Sequence, residues 1–202
     1  MVRVSCLVLA AGLSSRMTIG NKLLLKIKKI TIIEKTIENL ILCNIDDLYV
    51  ILGHQNNLFK KILKKFNVPL IFNKSYKEGM SSSIKKGIQT IDSKSNGVMI
   101  CLADMPRINT NTYNTLIEKF KTYYTKKNPL IVIPEYKGVS GNPVIFSNHF
   151  FSYFENITGD KGAKILIEKN KKYIKKVKIL NNSILKDVDN KKMYEELLKH
   201  EQ

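Results

Sequence analysis

The run Val4-Ser5-Cys6-Leu7-Val8-Leu9-Ala10, followed without a break by Ala11-Gly12-Leu13-Ser14-Ser15-Arg16-Met17, decides the fold. Its first half has the length and apolar character of a buried strand, and it hands over to small residues and a glycine where a ligand can approach the backbone closely. Outward from it, apolar runs of strand length alternate with longer amphipathic stretches, the rhythm of βαβ units on a mostly parallel sheet. A helix is predicted over residues 31–43, with Ile32, Ile33, Ile37, Leu40 and Ile41 on one face, and a second strand over 48–52. Helix 55–66, strand 68–72, helix 81–91 opened by serines that can cap it, and a fully buried strand Gly97–Leu102 follow. Beyond helix 109–124, short strands at 130–134 and 142–146 flank a turn at 137–141 and suggest antiparallel additions at the sheet edge. Residues 162–168 and 191–200 read as helices, and no repeat or linker marks a second domain.

With 202 residues, 44% hydrophobic and 25% charged, the chain has the composition of one globular domain rather than of a disordered segment. Cys6, Cys43 and Cys101 are widely spaced in apolar runs with no CxxC pair, so reduced core thiols and a reducing compartment are expected. No apolar segment reaches membrane-spanning length, and the expected location is the cytoplasm, in soluble form. The formal charge of +17 invites a nucleic-acid reading, but Arg3, Arg16 and Arg107 are the only arginines. Readers of base sequence favour the arginine fork, whereas these lysines are scattered over solvated faces. Neither nucleic acid nor membrane is expected as a partner. A field of this sign does attract small polyanions such as nucleoside triphosphates.

In open sheets of this kind ligands sit beyond the carboxyl ends of the strands. The backbone of Leu9, Ala10, Ala11 and Gly12 can donate N–H groups to a phosphate chain, and Arg16 and Lys22 add charge. Such a loop neutralises a triphosphate and the charge that builds on departing pyrophosphate during attack at the α-phosphorus. It lacks both GxGxxG and the GK[ST] ending of a P-loop, and it also suits a plain strand-to-helix turn with two solvated cations. In Leu102-Ala103-Asp104-Met105-Pro106, Asp104 is placed to hold Mg²⁺ against phosphate oxygens, and Pro106 stiffens the loop. A capping role for Asp104 is the alternative, although it lies well upstream of the helix at 109. In Gly79-Met80-Ser81-Ser82-Ser83, hydroxyls and free N–H groups at a helix start can bind a ribose, base edge or phosphate; an N-cap alone would need one serine. Asn73 either contacts a base or closes a turn. Asp189, in Asp187-Val188-Asp189, is a second metal carboxylate or a turn residue before the last helix. Asp160 and Lys161 face an acceptor or begin a helix. His54, His149 and His200 share no ligand spacing, and no GxSxG elbow supports a serine hydrolase.

These residues together resemble the molybdenum cofactor nucleotidyltransferases, the MobA-like family, and within it the cytidylyltransferase branch. The resemblance runs from Val4 to about Tyr194 through five segments in register: the 9–17 loop with Asn21-Lys22-Leu23-Leu24, Gly79-Met80-Ser81-Ser82-Ser83, Leu102-Ala103-Asp104-Met105-Pro106, Gly141-Asn142-Pro143 and Asp187-Val188-Asp189. Guanylyl-transferring relatives usually carry a second glycine at the place of Ala11. The resemblance implies that residues 1–202 form one Rossmann-like three-layer αβα sandwich with Mg²⁺ as cofactor. It implies CTP as donor and molybdenum-loaded molybdopterin as acceptor, giving the cytosine dinucleotide and pyrophosphate, with a molybdenum hydroxylase receiving the product. By the same resemblance Arg16 and Lys22 grip the triphosphate and Asp104 with Asp189 holds the metal. Leu9, Ala10, Ala11, Gly12, Asn73, Gly79, Ser81, Ser82 and Asn142 line the substrates. Thr18-Ile19 depart from the small residues usual in the family's loop. Two other readings stay open: a transferase using GTP or another phosphorylated acceptor, and a non-catalytic cofactor carrier or insertion chaperone.

Overall fold

The computed structural model describes residues 1–14, 17 and 20–199. In chain order they form β1 (Val4–Ala10), a small hairpin of β2 (Lys26–Ile27) and β3 (Ile30–Thr31), α1 (Ile32–Ile41), β4 (Asp47–Leu52), α2 (Asn56–Leu63) and β5 (Leu70–Phe72). Then come α3 (Met80–Ile88), β6 (Gly97–Leu102), α4 (Thr110–Tyr123), β7 (Ile131–Tyr136), β8 (Val139–Ser140), β9 (Val144–Ser147), α5 (Lys164–Lys169), β10 (Ile174–Lys178) and α6 (Lys191–Lys199).

Eight strands make one sheet in the order β10-β7-β9-β6-β1-β4-β5, with β8 hanging from β7. The short strands expected at 130–134 and 142–146 are β7 and β9, and the expected turn between them holds β8; β9 is antiparallel to both its neighbours, β6 and β7, but lies inside the sheet rather than at its edge. Strand β8 lies outside the main path, and β10 closes the edge parallel to β7. The central strand β1 explains why both faces are covered. Its even residues Cys6, Val8 and Ala10 join a core with Ile33 and Ile37 of α1, Phe59 of α2, Phe120 of α4 and Leu197 of α6. Leu7 points the other way, into a second core with Ile84 of α3, Phe154 and Leu166 of α5. A strand buried on both sides must be apolar almost throughout, as β1 and β6 are. The exception, Ser5, is buried but satisfied: its hydroxyl bonds Ser95 Oγ at 3.0 Å and Asp47 Oδ2 at 3.2 Å.

Helix starts follow local chemistry. Thr31 and Glu34 form a capping box at α1, with Glu34 Oε2 accepting the Thr31 N–H at 2.7 Å, and Asn109 Oδ1 accepts the Thr112 N–H at 2.9 Å to open α4. The three cysteines are free, and burial pushes the Cys43 thiol up to about 12. No helix among the described residues is long and apolar enough to cross a membrane.

The order of connections positions the site. The chain runs β1 to β4 to β5 on one side, then α3 carries it across to β6 on the other side of β1, so Leu9 pairs with both Ile51 and Leu102. At such a reversal the loops after β1 and β6 diverge and leave a crevice at the carboxyl ends of the strands. Helix α1 grips the loop after β6: Thr36 Oγ1 donates to Ala103 O at 3.0 Å, and Asn39 Nδ2 to Ile108 O at 2.9 Å. Thr36→Val keeps the shape of this buried side chain and strips Ala103 O of that bond. It is expected to lower stability by about 1–3 kcal/mol in urea unfolding, and a variant as stable as the parent would show the link to be dispensable.

Candidate active site

Asp104 stands two residues beyond β6, where Ala103 N–H still reaches Leu9 O at 3.2 Å. Against it lies the segment 187–189, joined by a hydrogen bond from Val188 N–H to Asp104 O at 3.0 Å. Side chains along this segment alternate: Val188 is buried in the core below α6, and Asp187 and Asp189 turn outward to the cleft. Carboxylate oxygens of Asp104, Asp187 and Asp189 thereby fall within 4.8 Å of one another.

The counter-charge comes from the loop after β1. Leu23 is anchored in the core and Asn21 caps the short turn Lys22–Leu24, its Oδ1 accepting from Leu23 N–H and from Ser14 Oγ, both at 3.1 Å. Asn21 Nδ2 donates to Gln55 Oε1 at 2.9 Å, tying the loop to the start of α2. Lys22 is thus aimed inward: its ammonium contacts Asp104 Oδ2 and lies 2.6 Å from Asp189 Oδ1. Burial works against the charge on Lys22, but Asp104 and Asp189 outweigh it and hold its pKa above the ordinary value. For Asp104 burial wins. It pushes the carboxyl up, Asp187 and Asp189 push the same way, and Lys22 only partly offsets them.

Asp104 Oδ1 is buried with no hydrogen-bond partner among the described residues. An orphaned carboxylate oxygen amid converging hard oxygen donors fits a divalent cation of the magnesium or calcium kind, and the three aspartates can hold one.

The cleft beside this cluster has a volume of about 560 Å³ and is floored by Leu9, Ala10, Ala11 and Gly12. A Cβ at Gly12 would meet nothing within 4 Å, so the backbone there lies open to the cleft. The far wall is the start of α3, where Gly79 has φ +96° and a Cβ would come within 2.7 Å of Gly159 C. The turn carrying Asp160 tucks into that gap, and Ser81 N–H donates to Gly159 O at 3.1 Å.

Leu9, Ala10, Ala11, Gly12, Lys22, Gly79, Asp104 and Asp189 therefore share one cleft. Other expected site residues stand off it among the described residues. Asn73 closes a turn, its Oδ1 accepting Ser75 N–H at 3.0 Å and its Nδ2 donating to Ser82 at 2.9 Å and Ser83 at 3.1 Å. Ser82 donates to Ser75 O and Gly79 O at 2.8 and 2.9 Å, and Ser81 Oγ is buried without a partner among the described residues. Asn142 donates its N–H to Ile184 O at 2.9 Å, bracing the segment that leads to Asp187. Arg16, Thr18, Ile19 and His200 lie outside the described residues. Of the three candidate hydroxyls at the start of α3, Ser83 lines the cleft; reading the sequence missed Asp187, Tyr76 and Lys77, which line it too. For Asp187 the signal was present, since residues two apart on an extended segment share a side; nothing local marks Tyr76 or Lys77.

A family model described as the MobA-like NTP transferase domain matches residues 6–175. The chain belongs to this family. It is a nucleotidyltransferase. It is 26% identical over 150 residues to the molybdenum cofactor cytidylyltransferase of Escherichia coli, covering 73% of this chain and 71% of that one. It is 25% identical over 169 residues to the purine catabolism protein PucB of Bacillus subtilis, covering 79% and 78%. The crystal structure of Rv0371c from Mycobacterium tuberculosis in complex with manganese shares the fold, with a TM-score of 0.83, 21% identity and coverage of 98% and 99%.

Because the folded state raises the pKa of Asp104, it binds this proton more tightly than the unfolded chain does. The ionised carboxylate therefore costs stability above that raised value, and the cost fades as pH falls toward the ordinary carboxylate range. Asp104→Asn is expected to melt higher than the parent at neutral pH in chelator, with the difference shrinking on acidification. A parent that gains on the variant as pH rises would contradict the burial argument.

Proposed function

We propose that this chain transfers CMP from CTP to molybdenum-loaded molybdopterin, forming molybdopterin cytosine dinucleotide and pyrophosphate, with Mg²⁺ as the working ion. The observation that carries the reading is the pairing of an open backbone at Gly12 and the Lys22 ammonium with the three-aspartate cluster across one crevice. Support for the donor and acceptor comes from the Escherichia coli relative and from Ala11, which stands where the guanylyl branch carries glycine. Family membership favours this over the carrier reading.

Asp104 and Asp189, joined by Asp187, are the residues that would hold the ion. When bound it would neutralise phosphate oxygens and ease the departure of pyrophosphate. The protein's own part is positioning and charge. The 9–12 backbone cradles the triphosphate, and Lys22, with Arg16 in the same loop, takes up charge on the β- and γ-phosphates. A phosphate oxygen of the acceptor attacks the α-phosphorus; the new P–O bond forms as the bond to the bridging α–β oxygen breaks, and pyrophosphate leaves with that electron pair. The attacking phosphomonoester is mostly dianionic at neutral pH, its second pKa being about 6. The reaction therefore needs no general base. The finished dinucleotide would pass to a molybdenum hydroxylase.

Incubation with CTP, Mg²⁺ and molybdenum-loaded molybdopterin is expected to release pyrophosphate, and Asp104→Ala to slow release by about 100-fold or more. Equal turnover in the variant would refute the metal assignment. In melting experiments with the four nucleoside triphosphates and Mg²⁺, CTP is expected to raise Tm most; a larger shift with GTP would move the donor assignment.

A further inference from the structure

Lys22 and a divalent ion draw on the same carboxylates. The Lys22 ammonium touches Asp104 Oδ2 and sits 2.6 Å from Asp189 Oδ1, two of the three carboxylates whose oxygens gather within 4.8 Å. We propose that Lys22 is a resident counter-ion that competes with the metal for Asp104 and Asp189, and that it moves to the nucleotide's phosphates when the metal is taken up. This rests on the reading of the cleft as a metal-dependent nucleotidyl-transfer site.

Three carboxylates packed together and partly shut off from water are expensive to leave without a cation. One ammonium lowers that cost, but it occupies one oxygen of Asp104 and one of Asp189 while Asp104 Oδ1 stays orphaned. A metal arriving alone therefore meets Asp104 Oδ1 and the Asp187 carboxylate, but must break the Lys22 contacts to use Asp104 Oδ2 and Asp189 Oδ1. The backbone of Lys22 is fixed, with its N–H on Ser14 Oγ at 3.3 Å and Leu23 anchored in the core, so the move is confined to the flexible four-carbon stem. Lys22 lines the same cleft as Gly12, so a triphosphate over that loop offers the ammonium a new anionic partner. Metal alone should bind weakly, and metal with nucleotide should bind cooperatively, because the phosphates receive the displaced charge. A lysine that only gripped phosphate would leave the affinity for metal alone unchanged.

Two measurements test this, neither relying on turnover. Mn²⁺ titration by electron paramagnetic resonance, without nucleotide, is expected to show Lys22→Met binding Mn²⁺ about tenfold tighter or more than the parent. Equal or weaker binding overturns the proposal. Asp104→Asn is the control: loss of Mn²⁺ binding there, without tightening in Lys22→Met, sinks the competition alone, whereas Mn²⁺ binding unaffected by Asp104→Asn sinks the metal-site reading itself. The parent protein gives a second test that no folding defect can blur. Acetic anhydride labelling of Lys22, read by peptide mass spectrometry, is expected to rise when Mn²⁺ is added and fall again when CTP follows. Labelling indifferent to saturating Mn²⁺ overturns the proposal.

Discussion

Three carboxylates crowded at the mouth of a cleft repel one another and lose hydration, and only a cation among them makes the arrangement tolerable. The joint that creates this situation is a single backbone hydrogen bond from Val188 N–H to Asp104 O, which lays the segment before α6 against the loop after β6. Once that contact exists, the alternation of side chains along 187–189 leaves Asp187 and Asp189 facing Asp104. Lys22 answers them from 167 positions away in the chain. The site is thus one ion-sized focus served by three separate stretches of sequence, and the fold exists, for functional purposes, to hold those stretches still.

The sheet does this by its order of connections. Because α3 carries the chain across β1, the loops after β1 and β6 open away from each other, and the cationic loop faces the acidic one across a crevice. Each loop is then pinned from outside the cleft. Helix α1 reaches Ala103 and Ile108 with Thr36 and Asn39, Asn21 fastens the Lys22 turn to Gln55, and Asn142 braces the approach to Asp187. Residues that look like ligand contacts in the sequence are in several cases these braces. Asn73 and Ser82 spend their side chains on closing the turn that leads into α3. Polar side chains near a site are often consumed in fixing its loops, and a sequence does not distinguish the two uses.

Much of the fold was legible because burial on both faces leaves a strong mark. Strands β1 and β6 have the bounds read from their apolar runs, and α1 and α4 begin just after the residues, Thr31 and Asn109, at which the helices were expected to start. Strand β10 was not legible: of Ile174-Lys175-Lys176-Val177-Lys178 only Val177 is buried, and lysines guarding an open sheet edge erase the apolar pattern. The β2–β3 hairpin is too short to show a period. In the site, Gly12, Lys22, Asp104 and Asp189 could be found because they follow strands or flank a motif. Tyr76 and Lys77 reach the cleft from the short turn before α3, where Tyr76 packs beside Gly53, a tertiary fact with no local trace.

The account stands on the claim that the carboxylates of Asp104, Asp187 and Asp189 form one ion-binding focus. Crystals grown with Mn²⁺ and CTP, with diffraction collected at a wavelength where manganese scatters anomalously, test it most directly. The account predicts an anomalous peak bound by the carboxylates of Asp104 and Asp189. A peak elsewhere in the molecule, with these aspartates left on Lys22, would contradict it.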